Sequence, residues 1–252
     1  GSGDYITVGN FAYAAAGLFT ISYWVTKQEC QENFYEYVWS HAQDPNVDIF
    51  SPAGSNINMY IACEDTGGGG STIEGTIMRI NLIDAASAPS RLGGGGAPPT
   101  WAVMDYPLHA AGDFDSITNM WIHATLVVSH TAVSVYADGY LVPDSTFGYY
   151  GETMVQANAA YPSPSALTSP LKGFDLRSDI FLGGRADLNA DRHLLGKMAN
   201  VQVFTAVLNA DQAECVFRTG ESVMPDPNSV AGMVPDCGAV DEIDVLFLGD
   251  MH

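Results

Sequence analysis

The chain has 252 residues, of which 47% are hydrophobic and 15% are charged, with 26 glycines and 13 prolines, so it is typical of a globular, turn-rich protein and not of a disordered tail. Nine basic residues against 29 acidic ones give a formal net charge of -20, which disfavours nucleic acid and anionic membrane surfaces as partners. No apolar run approaches the roughly 20 residues that span a bilayer, and no signal peptide is recognised at the N-terminus, so no membrane insertion is predicted.

The first half of the chain has the pattern of an all-β protein. Apolar and polar residues alternate with a period of two between clusters of Gly, Pro, Asn and Asp, and helical periodicity is nearly absent. In the stretch GLFTISYWV, the residues on one face are Phe19, Ile21, Tyr23 and Val25. Further strands are predicted in YITVGNFAY, NFYEYVWSHA, INMYIACED and TIEGTIMRINLI. Tetraglycine tracts at 67–70 and 93–96 flank the last stretch and are interpreted as loops within one domain.

The stretch from Trp121 to Val142 predicts a β-hairpin followed by a tight turn. Alternate residues from Ile122 to Val128 point one way, a polar turn follows, and alternate residues from Val133 to Ala137 return on the partner strand. The Asp138-Gly139 pair then supplies the positive φ angles of a tight turn.

A single helix is predicted near the end of the domain. Asn209 is a good N-cap with Gln212 at the third helical position. Ala213, Val216 and Phe217 share an apolar face, and Gly220 is placed to end the helix. Residues 1–224 are interpreted as one domain, and residues 225–252 as an acidic C-terminal extension.

The order of these segments resembles the laminin G-like jelly roll of the concanavalin A-like superfamily, which includes the pentraxins. The matching pieces are FTISYWV, the stretch from Trp121 to Val142, DIFLGGRAD and GKMANVQVFTAVLNADQAECVF, which together span about Tyr5 to Thr219. The resemblance implies a sandwich of two antiparallel sheets with variable rim loops. Members of the family mostly bind glycans, extracellular matrix proteins or phospholipid head groups, often through calcium at one rim.

Two acidic bends form a candidate calcium site. DLNAD at 187–191 presents oxygens at alternate positions, and SHAQDPNVDIF at 40–50 resembles the pentraxin loop in which an Asp and an Asn contribute to the metal site. Because calcium takes six to eight oxygen ligands, one bend alone is insufficient. The hypothesis is one calcium ion bound by Asp44, Asn46, Asp187, Asn189 and Asp191.

The alternative is an acidic hairpin tip without a metal, in which Arg185 and Arg192 balance the local carboxylates. The stretch is not an EF-hand, because its sixth position is Arg192 where a Gly is needed and its twelfth is Met198 where a Glu is needed. Pro45 is inserted in the pentraxin-like loop, and Arg185 and Ala186 stand where that family has further ligands. These departures disfavour a pentraxin-type double-calcium site.

Catalysis is the minority interpretation. The stretch DEIDVLF at 241–247 resembles the strand of related endoglucanases that carries two carboxylates, but Phe247 stands in place of the closing Glu. His123 is interpreted as a packed structural residue, and His41 and His193 as hydrogen-bonding residues. Candidate aromatic residues for a sugar platform are Tyr149, Tyr150, Tyr161 and Trp101, although aromatics in this fold more often belong to the core.

Four cysteines at wide spacings, without a C-x-x-C pair, indicate two disulfides and neither a zinc site nor a thioredoxin-like motif. Of the three possible connectivities, Cys30 with Cys63 and Cys215 with Cys237 join neighbouring segments. Disulfides indicate an oxidising compartment, and buried thiols in a cytosolic protein are the alternative.

The sequence thus predicts an extracellular or cell-surface binding or adhesion module, not an enzyme, that recognises a glycan or an extracellular protein, with calcium as a possible cofactor. A structural building block that contacts neighbouring copies in an extracellular assembly is an alternative, and a glycoside hydrolase of the same fold is a further one. A fold does not by itself decide a function.

Overall fold

A computed structural model of the protein describes residues 5–28, 35–44, 55–64, 75–84, 100–107, 118–142, 165–166, 171, 173–187, 192–221 and 245–248. The strands are β1 (Ile6–Val8), β2 (Phe19–Lys27), β3 (Tyr35–Ala42), β4 (Asn56–Glu64), β5 (Gly75–Asp84), β6 (Thr100–Pro107), β7 (Ile122–Val128), β8 (Ala132–Ala137), β9 (Tyr140–Leu141), β10 (Ser165–Ala166), β11 (Ile180–Leu182), β12 (Gly196–Phe204) and β13 (Val245–Leu248). Helix α1 spans Ala210–Glu221.

The strands form two sheets. In the described part of the chain, the first sheet has six strands in the order β1-β11-β3-β4-β5-β6. The second sheet has seven described strands, in the order β10-β8-β7-β2-β12-β13, with β9 paired to β8. The named strands pair antiparallel throughout both sheets. Within the described residues, the predicted all-β jelly-roll sandwich with one short helix is therefore confirmed.

The main hydrophobic core lies between the two sheets. Alternate residues of β2, from Phe19 to Val25, are completely buried there, as their period-two pattern predicts. The first sheet contributes residues such as Met59 and Met78, and the hydroxyl of Tyr23 donates a hydrogen bond to the Met78 sulfur at 2.8 Å. Strands that alternate apolar and polar residues thus have one face committed to the core and the other face available for other contacts.

The β7–β8 hairpin and the turn that follows it are as predicted. Asp138 and Gly139 have φ angles of 48° and 80°, the positive values that a tight two-residue turn requires. The Asp138 carboxylate accepts a hydrogen bond from the His123 amide at 2.9 Å, which fixes the turn against β7.

Helix α1 packs on the outer face of the second sheet. Its predicted capping box is confirmed, because the Gln212 amide donates to Asn209 Oδ1 at 2.9 Å and the Asn209 amide donates to Gln212 Oε1 at 3.0 Å. The prediction that Gly220 ends the helix is wrong, since the helix continues to Glu221. A Cβ at Gly220 would lie 2.4 Å from Trp24 Nε1, so this glycine allows the helix to approach the sheet closely.

Part of the predicted C-terminal extension belongs to the second sheet. β13 pairs with β12, and Val245 lies opposite Phe204. The boundary predicted at residue 224, the tetraglycine tracts and the carboxylates of the endoglucanase-like stretch lie outside the described residues. Among the described residues, α1 is too short and too polar to cross a bilayer.

Candidate ligand-binding site

The face of the first sheet that points away from the core carries polar and aromatic residues. Cross-strand register aligns them in two rows, Tyr37–Tyr60–Arg79 and Ser40–Asn58–Asn81. A β-bulge interrupts β3 between Tyr37 and Trp39. Because of this bulge, Tyr37 and Ser40 share the outer face although they are three residues apart, while Trp39 is completely buried in the core.

The second row is an internally bonded polar network. Ser40 Oγ donates to Asn58 Oδ1 at 2.7 Å, and Asn58 Nδ2 donates to Asn56 Oδ1 at 3.0 Å. The Ala186 amide donates to Ser40 Oγ at 3.0 Å, so the loop after β11 lies over this row. These side chains are buried and already hydrogen-bonded, so they hold the neighbouring row in place and do not serve mainly as donors to a ligand.

Three tyrosines form an aromatic cluster at the first row. Tyr37 and Tyr60 stack with ring centroids 4.7 Å apart, and Tyr35 meets Tyr60 edge-on at 5.6 Å. Tyr37 and Tyr60 are almost completely buried, whereas Tyr35 is half-buried. The cluster therefore has a buried base and a solvent-facing rim.

Three arginines lie over these rings. The Arg79 Cζ atom is 5.5 Å from the centre of the Tyr35 ring, and Arg192 Cζ is 5.0 Å from the centre of the same ring. The Cζ atom of Arg185 is 5.8 Å from the centre of the Tyr37 ring. Cation–π contacts of this kind orient the guanidinium planes. We call these six residues the Tyr–Arg cluster: Tyr35, Tyr37, Tyr60, Arg79, Arg185 and Arg192.

A buried ion pair holds the Arg192 segment against β3. Lys27 Nζ and Glu36 Oε1 are 2.8 Å apart, and both side chains are completely buried. Glu36 Oε2 accepts a hydrogen bond from the Leu195 amide at 2.9 Å. Since Lys27 is on β2 and Glu36 on β3, the pair links the two sheets and fixes the backbone three residues after Arg192.

The cluster concentrates positive charge in an acidic protein. The chain has six arginines in a total of nine basic residues, and three of them are in the cluster. Arg79 is 1% exposed and the Arg185 side chain is 13% exposed, whereas Arg192 is half-buried. Burial raises the pKa of the Tyr37 hydroxyl, and the charge of Arg185 acts in the opposite direction without reversing it. The tyrosine hydroxyl is therefore neutral and able to donate a hydrogen bond.

No family model and no curated protein matches the chain. Among solved structures, the Botulinum neurotoxin serotype D binding domain is 14% identical over 88% of this chain, with a TM-score of 0.49. Domains LG4-5 of the mouse laminin alpha1 chain are 10% identical over 80% of it, with a TM-score of 0.43. A SAP-like pentraxin from Limulus polyphemus is 13% identical over 98% of it and 92% of the pentraxin chain, with a TM-score of 0.41.

This protein spans 41% of the neurotoxin chain and 39% of the laminin chain. The jelly-roll assignment rests on the strand order and pairing described above. Structural similarities at these sequence identities and TM-scores do not indicate what the chain binds.

The predicted calcium ligands are only partly described. Asp187 forms an ion pair with Arg185, whose Nε donates to Asp187 Oδ1 at 2.6 Å, while Asp44 is exposed just beyond the end of β3. Asn46, Asn189 and Asp191 lie outside the described residues. Within the described ranges, no three His, Cys, Asp or Glu residues are grouped as a metal site. A cation at Asp187 must compete with the Arg185 guanidinium. The residues that the structure describes therefore do not form a complete calcium site, and calcium binding stays a prediction.

The interpretation of His123 as a structural residue is confirmed. It is completely buried, with Nε2 2.7 Å from Ser22 Oγ and its ring packed against Trp24 and Phe217. Burial lowers the pKa of His123 to about 3. A Ser–His contact can serve catalysis, but one sealed between a sheet and a helix is not accessible to a substrate.

The hydrogen-bonding role of His41 is also confirmed. Its Nε2 is 3.1 Å from the Ser178 carbonyl oxygen and its Nδ1 is 3.4 Å from the Tyr13 hydroxyl. Burial lowers the pKa of His41 to about 4, although the bond to the Ser178 carbonyl opposes this. His193 instead packs against Tyr5, with ring centroids 5.6 Å apart, and its buried Nδ1 has no partner in the described part of the chain.

Cys215 is disulfide-bonded. Cys30 and Cys237 lie outside the described residues, and Cys63 is described only as part of β4. The predicted pairings of Cys30 with Cys63 and of Cys215 with Cys237 therefore stay predictions.

Sequence reasoning did not single out Tyr35, Tyr60 or Arg79. Of the predicted aromatic candidates, Trp101 lies in β6 opposite Ile83, and Tyr149, Tyr150 and Tyr161 are outside the described residues. The missed residues stand on three consecutive strands, and only the register of those strands aligns them. Their alternation with core residues is the signal that could have placed them on one face.

Proposed function

We propose that this chain is an extracellular binding module that recognises a glycan at the Tyr–Arg cluster. The observation that carries the proposal is the half-buried Arg192, which is held over the Tyr35 ring at 5.0 Å and has no carboxylate partner among the described residues. Its N–H groups are oriented and partly shielded from water. Donors of this kind suit a ligand rich in hydroxyl and other oxygen acceptors.

The surroundings of Arg192 favour recognition over a purely structural role. Tyr35 is also half-buried and the Arg185 side chain is 13% exposed, so aromatic surface and guanidinium groups are presented together at one rim. The stacked base of Tyr37 and Tyr60 and the segment held at Leu195 keep this rim in place before a ligand arrives. Such preorganisation lowers the conformational entropy that binding would otherwise cost.

The described residues favour binding over catalysis. The Ser22–His123 contact is sealed beneath Phe217, and the Tyr–Arg cluster has no arrangement of nucleophile and base. An extracellular or cell-surface location is part of the proposal, supported by the disulfide at Cys215, since disulfides persist in oxidising compartments. Calcium at the bends of Asp44 and Asp187 is proposed as an assisting ion, which would share the Asp187 carboxylate with Arg185 of the cluster.

A glycan array followed by calorimetry on the best hit tests the proposal. We expect Tyr35→Ala to weaken binding of that glycan at least tenfold, or about 1.4 kcal/mol, because it removes the ring that orients Arg192. Tyr140→Ala is the matched control, since Tyr140 is a tyrosine that is 72% exposed at the start of β9. Absence of binding across the array, or equal losses in both variants, would contradict the proposal.

A further inference from the structure

We infer that the ligand of the Tyr–Arg cluster is an acidic sugar that carries an isolated carboxylate or sulfate. This inference rests on the proposed function and names the chemical class that the same site takes. It follows from a charge balance within the cluster, from the geometry of the arginines and from the charge of the whole chain.

The described charges around the cluster leave a positive excess. Three guanidinium groups lie over the tyrosines, and Asp187 neutralises Arg185 through an ion pair. Asp105 occupies the register position opposite Arg79 on β6. Even when Asp105 is counted against Arg79, the three positive and two negative charges leave a net charge of one positive unit. Among the described residues, Arg192 is the group without an assigned carboxylate.

The position of Arg192 suits a single anionic group. Its guanidinium is half-buried over Tyr35, so its charge is less screened by salt than that of a fully exposed arginine. A planar guanidinium presents paired N–H donors that match the oxygens of a carboxylate or a sulfate. Arg185 already holds the Asp187 carboxylate in this paired manner, which shows that the rim accommodates such geometry.

The net charge of the whole chain restricts the class of acidic ligand further. A formal net charge of -20 repels densely charged polyanions at long range. Among the described residues, the cluster has an excess of one positive charge, which compensates for a single anionic group and not for a run of them. We therefore expect a sugar with one acidic group to bind better than a highly sulfated polymer.

Four probes separate these possibilities by calorimetry: lactose, lactose carrying a terminal sialic acid, lactose 3′-sulfate and heparin. We expect at least one of the two singly charged acidic probes to bind tenfold or more tightly than lactose, and heparin to bind more weakly than that probe. The carboxylate and sulfate arms report which group the site prefers. Binding of heparin more tightly than both acidic lactose derivatives would overturn the inference.

Substitutions at Arg192 test whether the preference for acidic sugars arises at the Tyr–Arg cluster. We expect Arg192→Gln to reduce the preference for the acidic probe at least tenfold, and Arg192→Lys to restore part of it, because lysine keeps the charge without the planar donors. Arg218→Gln is the matched control, since Arg218 is an exposed arginine on α1. Thermal unfolding of each variant verifies that it is folded.

The outcomes distinguish this inference from the proposed function. If lactose and its acidic derivatives bind equally well and Arg192→Gln changes nothing, the inference is overturned while glycan binding stands. If no glycan binds in the probe set or on the array, both are overturned. A selective loss of the acidic preference in Arg192→Gln supports both.

Discussion

At the scale of single residues, a histidine sealed between the second sheet and helix α1 sets how the protein responds to acid. His123 has no exposed surface, and its Nδ1 has no hydrogen-bond partner among the described residues. A proton on this ring would place a charge in surroundings formed by Trp24 and Phe217. Burial therefore lowers the pKa of His123 from 6.5 to about 3.

This shift predicts acid destabilisation in a defined pH window. As the pH falls below 6.5, the unfolded chain takes up a proton that folded His123 does not accept until about pH 3. The unfolded state then binds more protons, so the free energy of unfolding decreases by about 1.4 kcal/mol per pH unit within that window. We expect His123 to account for a loss of about 2 kcal/mol between pH 6.5 and 5, measured by urea unfolding.

The His123→Gln variant isolates this contribution. It should be less stable than the wild type at pH 7, because it disturbs the contact with Ser22, but its stability should fall less steeply with acid. His130→Gln, which removes an exposed histidine, is the control. If the free energy of unfolding of His123→Gln fell with acid as steeply as that of the wild type, the buried ring would not resist protonation.

At the scale of elements, helix α1 illustrates a conflict between local preference and tertiary packing. Alanine is a better helix former than glycine by up to about 1 kcal/mol, so Gly220→Ala would stabilise an isolated helix. In the folded protein, however, an added Cβ would lie 2.4 Å from Trp24 Nε1 and 2.8 Å from Asn200 Nδ2. Overpacking of this kind costs about 1–3 kcal/mol, which outweighs the gain in helix propensity.

We therefore expect Gly220→Ala to lower the free energy of unfolding by about 1 kcal/mol or more in chemical denaturation. The same substitution should cost less in a Trp24→Phe background, since the smaller ring removes the atom nearest to the new Cβ. Arg218→Ala, on the exposed side of α1, should change stability by no more than about 0.5 kcal/mol. Equal or greater stability in the Gly220→Ala single variant would disprove close packing at this point.

At the scale of the whole molecule, the predicted calcium ion would join two bends that follow neighbouring strands of the first sheet. Asp44 follows β3 and Asp187 follows β11, and these strands pair antiparallel, so their C-terminal ends point in opposite directions. The chain after β11 folds back over β3 at Ser40, and a shared site requires that it bring Asp187 toward Asp44. Because Arg185 holds the Asp187 carboxylate, calcium must displace this arginine or share its partner. At calcium concentrations above the dissociation constant, binding would stabilise the folded state by an amount that grows with the logarithm of the calcium concentration.

We expect millimolar calcium to raise the thermal unfolding temperature by a few degrees, and Asp187→Asn to abolish the effect. Arg185→Gln should raise calcium affinity several-fold, because it removes the competing cation. Asp175→Asn is the control, since Asp175 is an exposed aspartate that is also paired with an arginine. No thermal shift and no heat of binding in wild type or Arg185→Gln would end the calcium hypothesis.

Much of the fold followed from local patterns in the sequence. The period-two alternation of β2 predicted which side chains enter the core, and Asp138-Gly139 predicted the turn after β8 because few other residue pairs adopt two positive φ angles. The capping box at Asn209 was likewise readable, since its hydrogen bonds span only three residues. In each case the information lies within a few consecutive positions.

The candidate site depended on contacts between distant segments. Strict alternation would place Trp39 on the same face as Tyr35 and Tyr37, but the bulge in β3 turns it into the core. Arg192 is more than 150 residues from Tyr35 in the chain and reaches its ring only because the Lys27–Glu36 pair and the Leu195 amide hold that segment against β3. The sequence by itself determined strands, turns and the helix start, because these depend on neighbouring residues. The tertiary structure alone decided which tyrosines and arginines meet, because strand register and sheet packing place residues that no local pattern connects.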